Sequence, residues 1–164
     1  PAASTKPKST PKHSKPLNAM QVIDYIQTQV EDLPDQPLTF QHQSFQYDSP
    51  TQSWQPAHIP NADFPLLLGD VYRVALTEDL RLKTWHLSLV YLAPHLPDTS
   101  DVPEIHRRAE RTLLLLLARL EALEDLIIET PPELSFFFNQ TETRLAGANL
   151  LVALKGANSP TPIC

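Results

Sequence analysis

Glycine is scarce in this chain: Gly69, Gly147 and Gly156 are the only three in 164 residues. A loop that cradles phosphate needs several glycines at close spacing, so GxGxxG and Walker A sites are excluded. Cysteine is scarcer still, with Cys164 alone. One cysteine can neither close an internal disulfide nor supply a cysteine-based metal site. It fits a free or partner-covered thiol in a reducing compartment. Long apolar runs are missing too. The longest, over 113–118, is six residues, against the roughly 20 that a membrane-spanning helix needs. The N-terminal stretch is polar and holds no apolar signal core, so the expected setting is soluble and cytoplasmic.

Proline is abundant instead. The chain has 17, about twice ordinary usage of ~5%. Hydrophobic residues make up 41% and charged residues 20%, which suits one globular domain with a genuine core.

Residues 1–17 (PAASTKPKSTPKHSKPL) stand apart. They contain Lys6, Lys8, Lys12 and Lys15, four prolines and no acid. Proline denies this segment a helix, and it has little apolar surface to bury. It reads as an extended basic arm, polyproline-like, that docks on an acidic partner. The arm carries +4 and the whole chain −6, so the other 147 residues carry −10. A basic arm on an acidic body is the result.

The body, 18–164, reads as a single α+β domain. A first helix is expected over 18–33. Asn18 is a good N-cap, Val22, Ile23, Ile26, Val30 and Leu33 form one stripe, and Pro34 ends it. Glu31 and Asp32 lie at its C-terminus, where the helix dipole disfavours anions, a conflict that a basic neighbour would relieve. A strand follows over 38–47, then a proline-rich loop over 48–60 with Trp54 as an interface or lid aromatic. Short strands at 64–69 and 71–76, a turn at 77–80 and a strong strand at 83–92 come next. In the last, Trp85, Leu87, Leu89 and Tyr91 alternate with His86, Ser88 and Val90.

A second, long helix is expected over 101–124. Asp101 stands at the N-cap, Pro103 in the first turn and Glu104 at the capping-box position. Residues 113–117 are apolar nearly all round, which predicts burial on more than one side. A short strand at 126–130 stops at Pro131-Pro132, and a C-terminal hairpin completes the body. The predicted architecture is a mainly antiparallel sheet packed against one long helix, with an N-terminal helix and an extended N-terminal arm.

Candidate chemistry is thin. The six histidines, His13, His42, His58, His86, His95 and His106, show no HxH or HExxH spacing. His106 reads as a solvated helix residue and His86 as a hydrogen-bonded sheet histidine. The acid pairs Glu31/Asp32, Glu78/Asp79 and Glu124/Asp125 fall at element ends, as solvated turns do. No GxSxG elbow is present, and Cys164 lacks the rigid setting of a nucleophile. The expectation is a protein that is not an enzyme, with no catalytic residue, metal or cofactor. The arm lysines could touch phosphates, but the acidic body would repel DNA.

The C-terminal quarter is the most distinctive stretch. FFFNQTETRLAG over 136–147 gives an aromatic strand, an acidic/Arg turn and a Leu-Ala-Gly step. An amphipathic strand and a short Asn/Pro/Cys tail follow. This arrangement resembles the C-terminal hairpin of tail-completion (tail-terminator, or neck) proteins of tailed phages, particularly those of Bacteroidetes-type hosts. The likeness covers roughly 84–164, including the Trp85–Leu92 strand and the Ile105-His-Arg-Arg108 helix start. Two features depart from it: Ala148 stands where the family usually has an aromatic, and the arm is extra.

The resemblance implies a structural virion protein. It would form a homo-oligomeric, commonly hexameric ring at the head-proximal end of the tail, ending tube polymerisation and joining the head connector. The implied partners are further copies, tail tube or sheath, and connector proteins. DNA would pass through the lumen without specific binding, and no membrane is involved. Its place would be the virion neck, and the host cytoplasm during assembly. Trp54, Arg107, Arg108, Arg111 and Arg144 are the candidate interface residues, and Lys6, Lys8, Lys12 and Lys15 the partner-binding arm. The alternatives are another head-closure or tail-associated subunit, or a cytoplasmic adaptor gripping an acidic partner through the arm.

Overall fold

The computed structural model describes residues 18–48, 53–56, 63–124, 126–129, 131–139 and 144–157. The arm lysines Lys6, Lys8, Lys12 and Lys15, with Cys164, lie outside the described residues.

Helix α1 spans Ala19–Glu31 and starts as its sequence dictates. The Gln21 N–H donates to Asn18 Oδ1 at 2.9 Å, and the Asn18 N–H donates to Gln21 Oε1 at 2.8 Å. This reciprocal pair satisfies two amides that no helical carbonyl reaches. Val22, Ile23, Ile26, Val30 and Leu33 are all buried. Beyond the helix, Gln36 folds back and donates through Nε2 to the carbonyls of Val30 (2.7 Å) and Leu33 (3.0 Å). Arg119 reaches Asp32 at 2.6 Å, supplying the cation that the acidic end of α1 calls for.

The main sheet has six strands, in the order β1-β4-β5-β8-β6, with β7 also pairing β8. They are β1 (Thr39–His42), β4 (Leu66–Leu76), β5 (Leu82–Pro94), β6 (Ile127–Ile128), β7 (Glu133–Phe138) and β8 (Leu145–Ala157). A separate hairpin joins β2 (Phe45–Asp48) to β3 (Ser53–Pro56). The sheet is mixed: β1 runs parallel to β4, and the other pairings are antiparallel. The sheet is mainly antiparallel, as predicted, with the β1–β4 edge as its parallel exception.

Three sequence boundaries are corrected. The expected strand at 38–47 is two strands in two sheets. The Gln43 N–H still donates to Gly69 O at 3.1 Å, after which the chain leaves β4. The expected loop at 48–60 holds β3, whose Pro56 sits at a strand end, where a missing N–H costs little. The two short strands at 64–69 and 71–76 are one, β4, bulged between Val71 and Arg73 so that Tyr72 is the extra residue.

Helix α2 spans Val102–Glu121 and packs with α1 on one face of the sheet. The predicted single packing helix is therefore a pair. Ile105, Ala109, Leu113, Leu116 and Leu120 meet Trp85, Leu87, Leu89 and Tyr91 from β5, and Ala148, Leu150 and Val152 from β8. Within 113–117, Leu113 and Leu116 are fully buried and Leu115 and Leu117 pack partly against the core, whereas Leu114 is 45% exposed. Asp101 holds the N-cap position without a side-chain bond to the helix. Its Oδ1 instead accepts the Leu96 N–H at 2.9 Å, and Glu104 pairs forward with Arg107 and Arg108. On the opposite face a smaller cluster gathers Leu66, Leu68, Val90, Leu92 and Leu145.

The predicted hairpin is present as β7 and β8, in register from Phe138↔Ala146 to Glu133↔Leu151. β6 uses the same edge of β8, with Ile128 opposite Leu154. Five residues on from Ile128, Glu133 has advanced only three positions along β8, so two residues loop out. Pro131 and Pro132 occupy that break, having no N–H for the ladder.

Candidate interaction surface

β7 forms an outer strand of the sheet; among the described residues it pairs with β8 alone. Its sequence, ELSFFF, alternates across the sheet. Phe137 packs against the small cluster on the helix-free face. Leu134 turns to the main core. Phe136 and Phe138 share that side but lie past the core's rim, 45% and 51% exposed. Two phenylalanines in solvent beside an unextended strand form a surface that a further strand or an apolar partner can cover.

Two histidines brace this strand from behind. His106, on α2, has Nε2 at 2.8 Å from the Phe137 carbonyl oxygen, and its ring meets Phe136 at a centroid distance of 5.2 Å. It is half-buried and bonded, where the sequence suggested a solvated residue. His95 follows β5 and is 6% exposed. Its ring meets Phe138 edge-on at 6.2 Å, and its Nδ1 and Nε2 each lie 2.7 Å from a main-chain carbonyl oxygen, of Leu96 and Asn139. Those carbonyls are the main reason the His95 imidazole holds its proton above the ordinary value of 6.5. The sequence reading gave His95 no role. The signal was its position between Pro94 and Pro97 at the end of a buried strand.

The residues singled out from sequence do not converge. Trp54 lies in β3 opposite Tyr47. Arg107 and Arg108 both pair with Glu104 one turn back. Arg111 pairs with Asp35 at 2.8 Å, joining α2 to the segment after α1. Arg144 precedes β8 with a left-handed φ of 43°, and its carbonyl accepts the His95 N–H at 2.8 Å. The three helix arginines are exposed and hold partners within the chain, whereas Arg144 lies next to the β7 surface.

A groove of about 400 Å³ opens on the helix-free face at the Pro131–Pro132 break, lined by Tyr72, His86, Glu133, Leu151 and those prolines. Burial, seconded by the Arg73 charge, pushes His86 below 6.5. Nearby, Glu129 accepts from Thr84 Oγ1 at 2.7 Å and from Lys155 Nζ at 3.4 Å. The Thr84 bond is the chief cause that holds its carboxyl below the usual 4.5. Glu129, Thr84 and Lys155 are thus engaged with one another, as in a sheet surface stabilised by cross-strand contacts.

Among the described residues no group of three or more His, Cys, Asp or Glu side chains could hold a metal ion. Among them, too, no helix is long and apolar enough to cross a membrane. Comparison with known protein families and with curated proteins finds no match to this chain.

Proposed function

We propose that this chain is a structural subunit that acts by association with copies of itself, in the manner of the phage tail-completion proteins that its 84–164 region resembles. The observation that carries the reading is β7: an outer strand with Phe136 and Phe138 half in solvent. Edge addition supplies main-chain hydrogen bonds, and flanking aromatics supply the desolvated anchor. In this reading an α+β body, with α2 as its long packing helix, forms the wall of a ring at the head-proximal end of a phage tail. The acidic body repels DNA in the lumen, so that the DNA slides. The lysine arm reaches an acidic neighbour, with tail and connector proteins stacked above and below.

The test is the mass of the purified chain by light scattering, with and without residues 1–17. A closed oligomer of hexamer size is the expected result, and its loss on truncation assigns the arm to assembly. A monomer from both chains, at concentrations up to the millimolar range, overturns the self-association reading.

A further inference from the structure

His95 stands where three segments meet: the end of β5, the end of β7 and the start of β8. Its ring nitrogens face two carbonyl oxygens, Leu96 O and Asn139 O, each at 2.7 Å. A carbonyl oxygen only accepts. A neutral imidazole carries one N–H, so one of these contacts would set lone pair against lone pair. The imidazolium donates to both, and both bonds are then charge-assisted. Burial at 6% exposure leaves little room for water to take over either contact. The Asn139 contact carries the structural effect. The Asn139 N–H donates to Leu145 O at 2.8 Å, beyond the Phe138↔Ala146 pair that ends the β7–β8 ladder. The bond from Nε2 thus ties the end of the hairpin to the end of β5.

We propose that His95 is a proton-operated clamp: protonated, it donates to both the Leu96 and Asn139 carbonyls and holds the end of the β7–β8 hairpin to the end of β5, and loss of its proton leaves one N–H for the two carbonyls and slackens that hold. Two charged groups face the ring. Asp101, from the start of α2, favours the cation, and Arg144, from the start of β8, opposes it. The carbonyl contacts outweigh both, and the folded value lies above 6.5. The sign follows from linkage. A histidine raised on folding gives its full stabilisation below the unfolded value and loses it as pH rises through the folded value. The hairpin end therefore tightens in mild acid and loosens in mild alkali. The clamp does not depend on the proposed assembly.

The deciding experiment is long-range ¹H–¹⁵N NMR of the histidine rings in the wild-type chain from pH 5.5 to 9, with hydrogen exchange at the Asn139 amide. Both His95 nitrogens should carry protons at pH 6.5, with a midpoint above that value. Protection of Asn139, corrected for intrinsic exchange, should fall about tenfold for each unit by which the midpoint exceeds 6.5. In His95→Gln, which keeps an amide N–H donor group and cannot titrate, the pH dependence should vanish. A midpoint at or below 6.5, a single neutral tautomer at pH 6, or protection that ignores the titration overturns the clamp. The wild-type measurements decide the matter even if the variant does not fold.

Discussion

The carbonyl oxygen of Tyr91 lies 1.6 Å from the place a β-carbon on Gly147 would occupy. The two residues face each other across the β5–β8 pair, where Tyr91 is opposite Ala148 and Leu92 opposite Gly147. A methyl group there meets main chain, which cannot rotate away. Gly147→Ala should cost about 3–5 kcal/mol, at the exceptional end for one substitution. Urea denaturation checks this, and a loss under about 1 kcal/mol would refute the close approach.

Neighbouring leucines on α2 should behave oppositely. Leu113 is fully buried and Leu114 is 45% exposed. Leu113→Ala should cost about 2–5 kcal/mol, the transfer term plus the cavity. Leu114→Ala should stay within about 0.5 kcal/mol. Equal losses at the two sites would mean that the helix presents a different face.

Asn18→Ala removes the acceptor for the Gln21 N–H and breaks the reciprocal cap of α1. A loss of about 1 kcal/mol is expected, with Asn18→Ser nearly neutral. If Ala and Ser variants melt alike, the cap contributes nothing.

Glu129 should give the fold an acid-sensitive limb. Its folded pKa is held below 4.5 by Thr84 and Lys155. A depressed carboxyl contributes stability above its unfolded value, and that contribution disappears as pH falls through the folded value. Glu129→Gln should therefore lower Tm at pH 7 and converge on the wild type as pH drops below 4. A Tm gap that persists unchanged at pH 3 would contradict the assignment.

Phe136→Asp combined with Phe138→Asp tests the β7 surface. Both side chains are already half in solvent, so the monomer should keep its fold by circular dichroism. Self-association measured by light scattering should fall at least tenfold. Unchanged association would move the interface elsewhere.

Much of this fold was legible in local pattern. The stripe of Val22, Ile23, Ile26 and Val30, the Asn18 cap, and the alternation of Trp85, Leu87, Leu89 and Tyr91 were read from spacing, because burial repeats at the period of the element. The turn-and-step pattern at 136–147 marked the closing hairpin, although β7 begins earlier, at Glu133. The parallel placement of β1 was not legible, since register with β4 depends on residues more than 20 positions away. The β2–β3 hairpin hid behind prolines that signal loops. His95 escaped notice for a related reason. Nothing in the residues around it announces that the Asn139 carbonyl, 44 positions along the chain, completes its environment.

The position of β8 in the chain has a consequence for biosynthesis. β8 is the last described strand, yet it is the one on which β5, β6 and β7 all pair. Until Leu145–Ala157 has left the ribosome, β5 keeps an open edge and the row of Trp85, Leu87, Leu89 and Tyr91 lacks part of its cover. Contacts this distant in sequence form slowly. The nascent chain must therefore carry an uncovered apolar row past crowded neighbours, and that interval sets its exposure to chaperones and to aggregation.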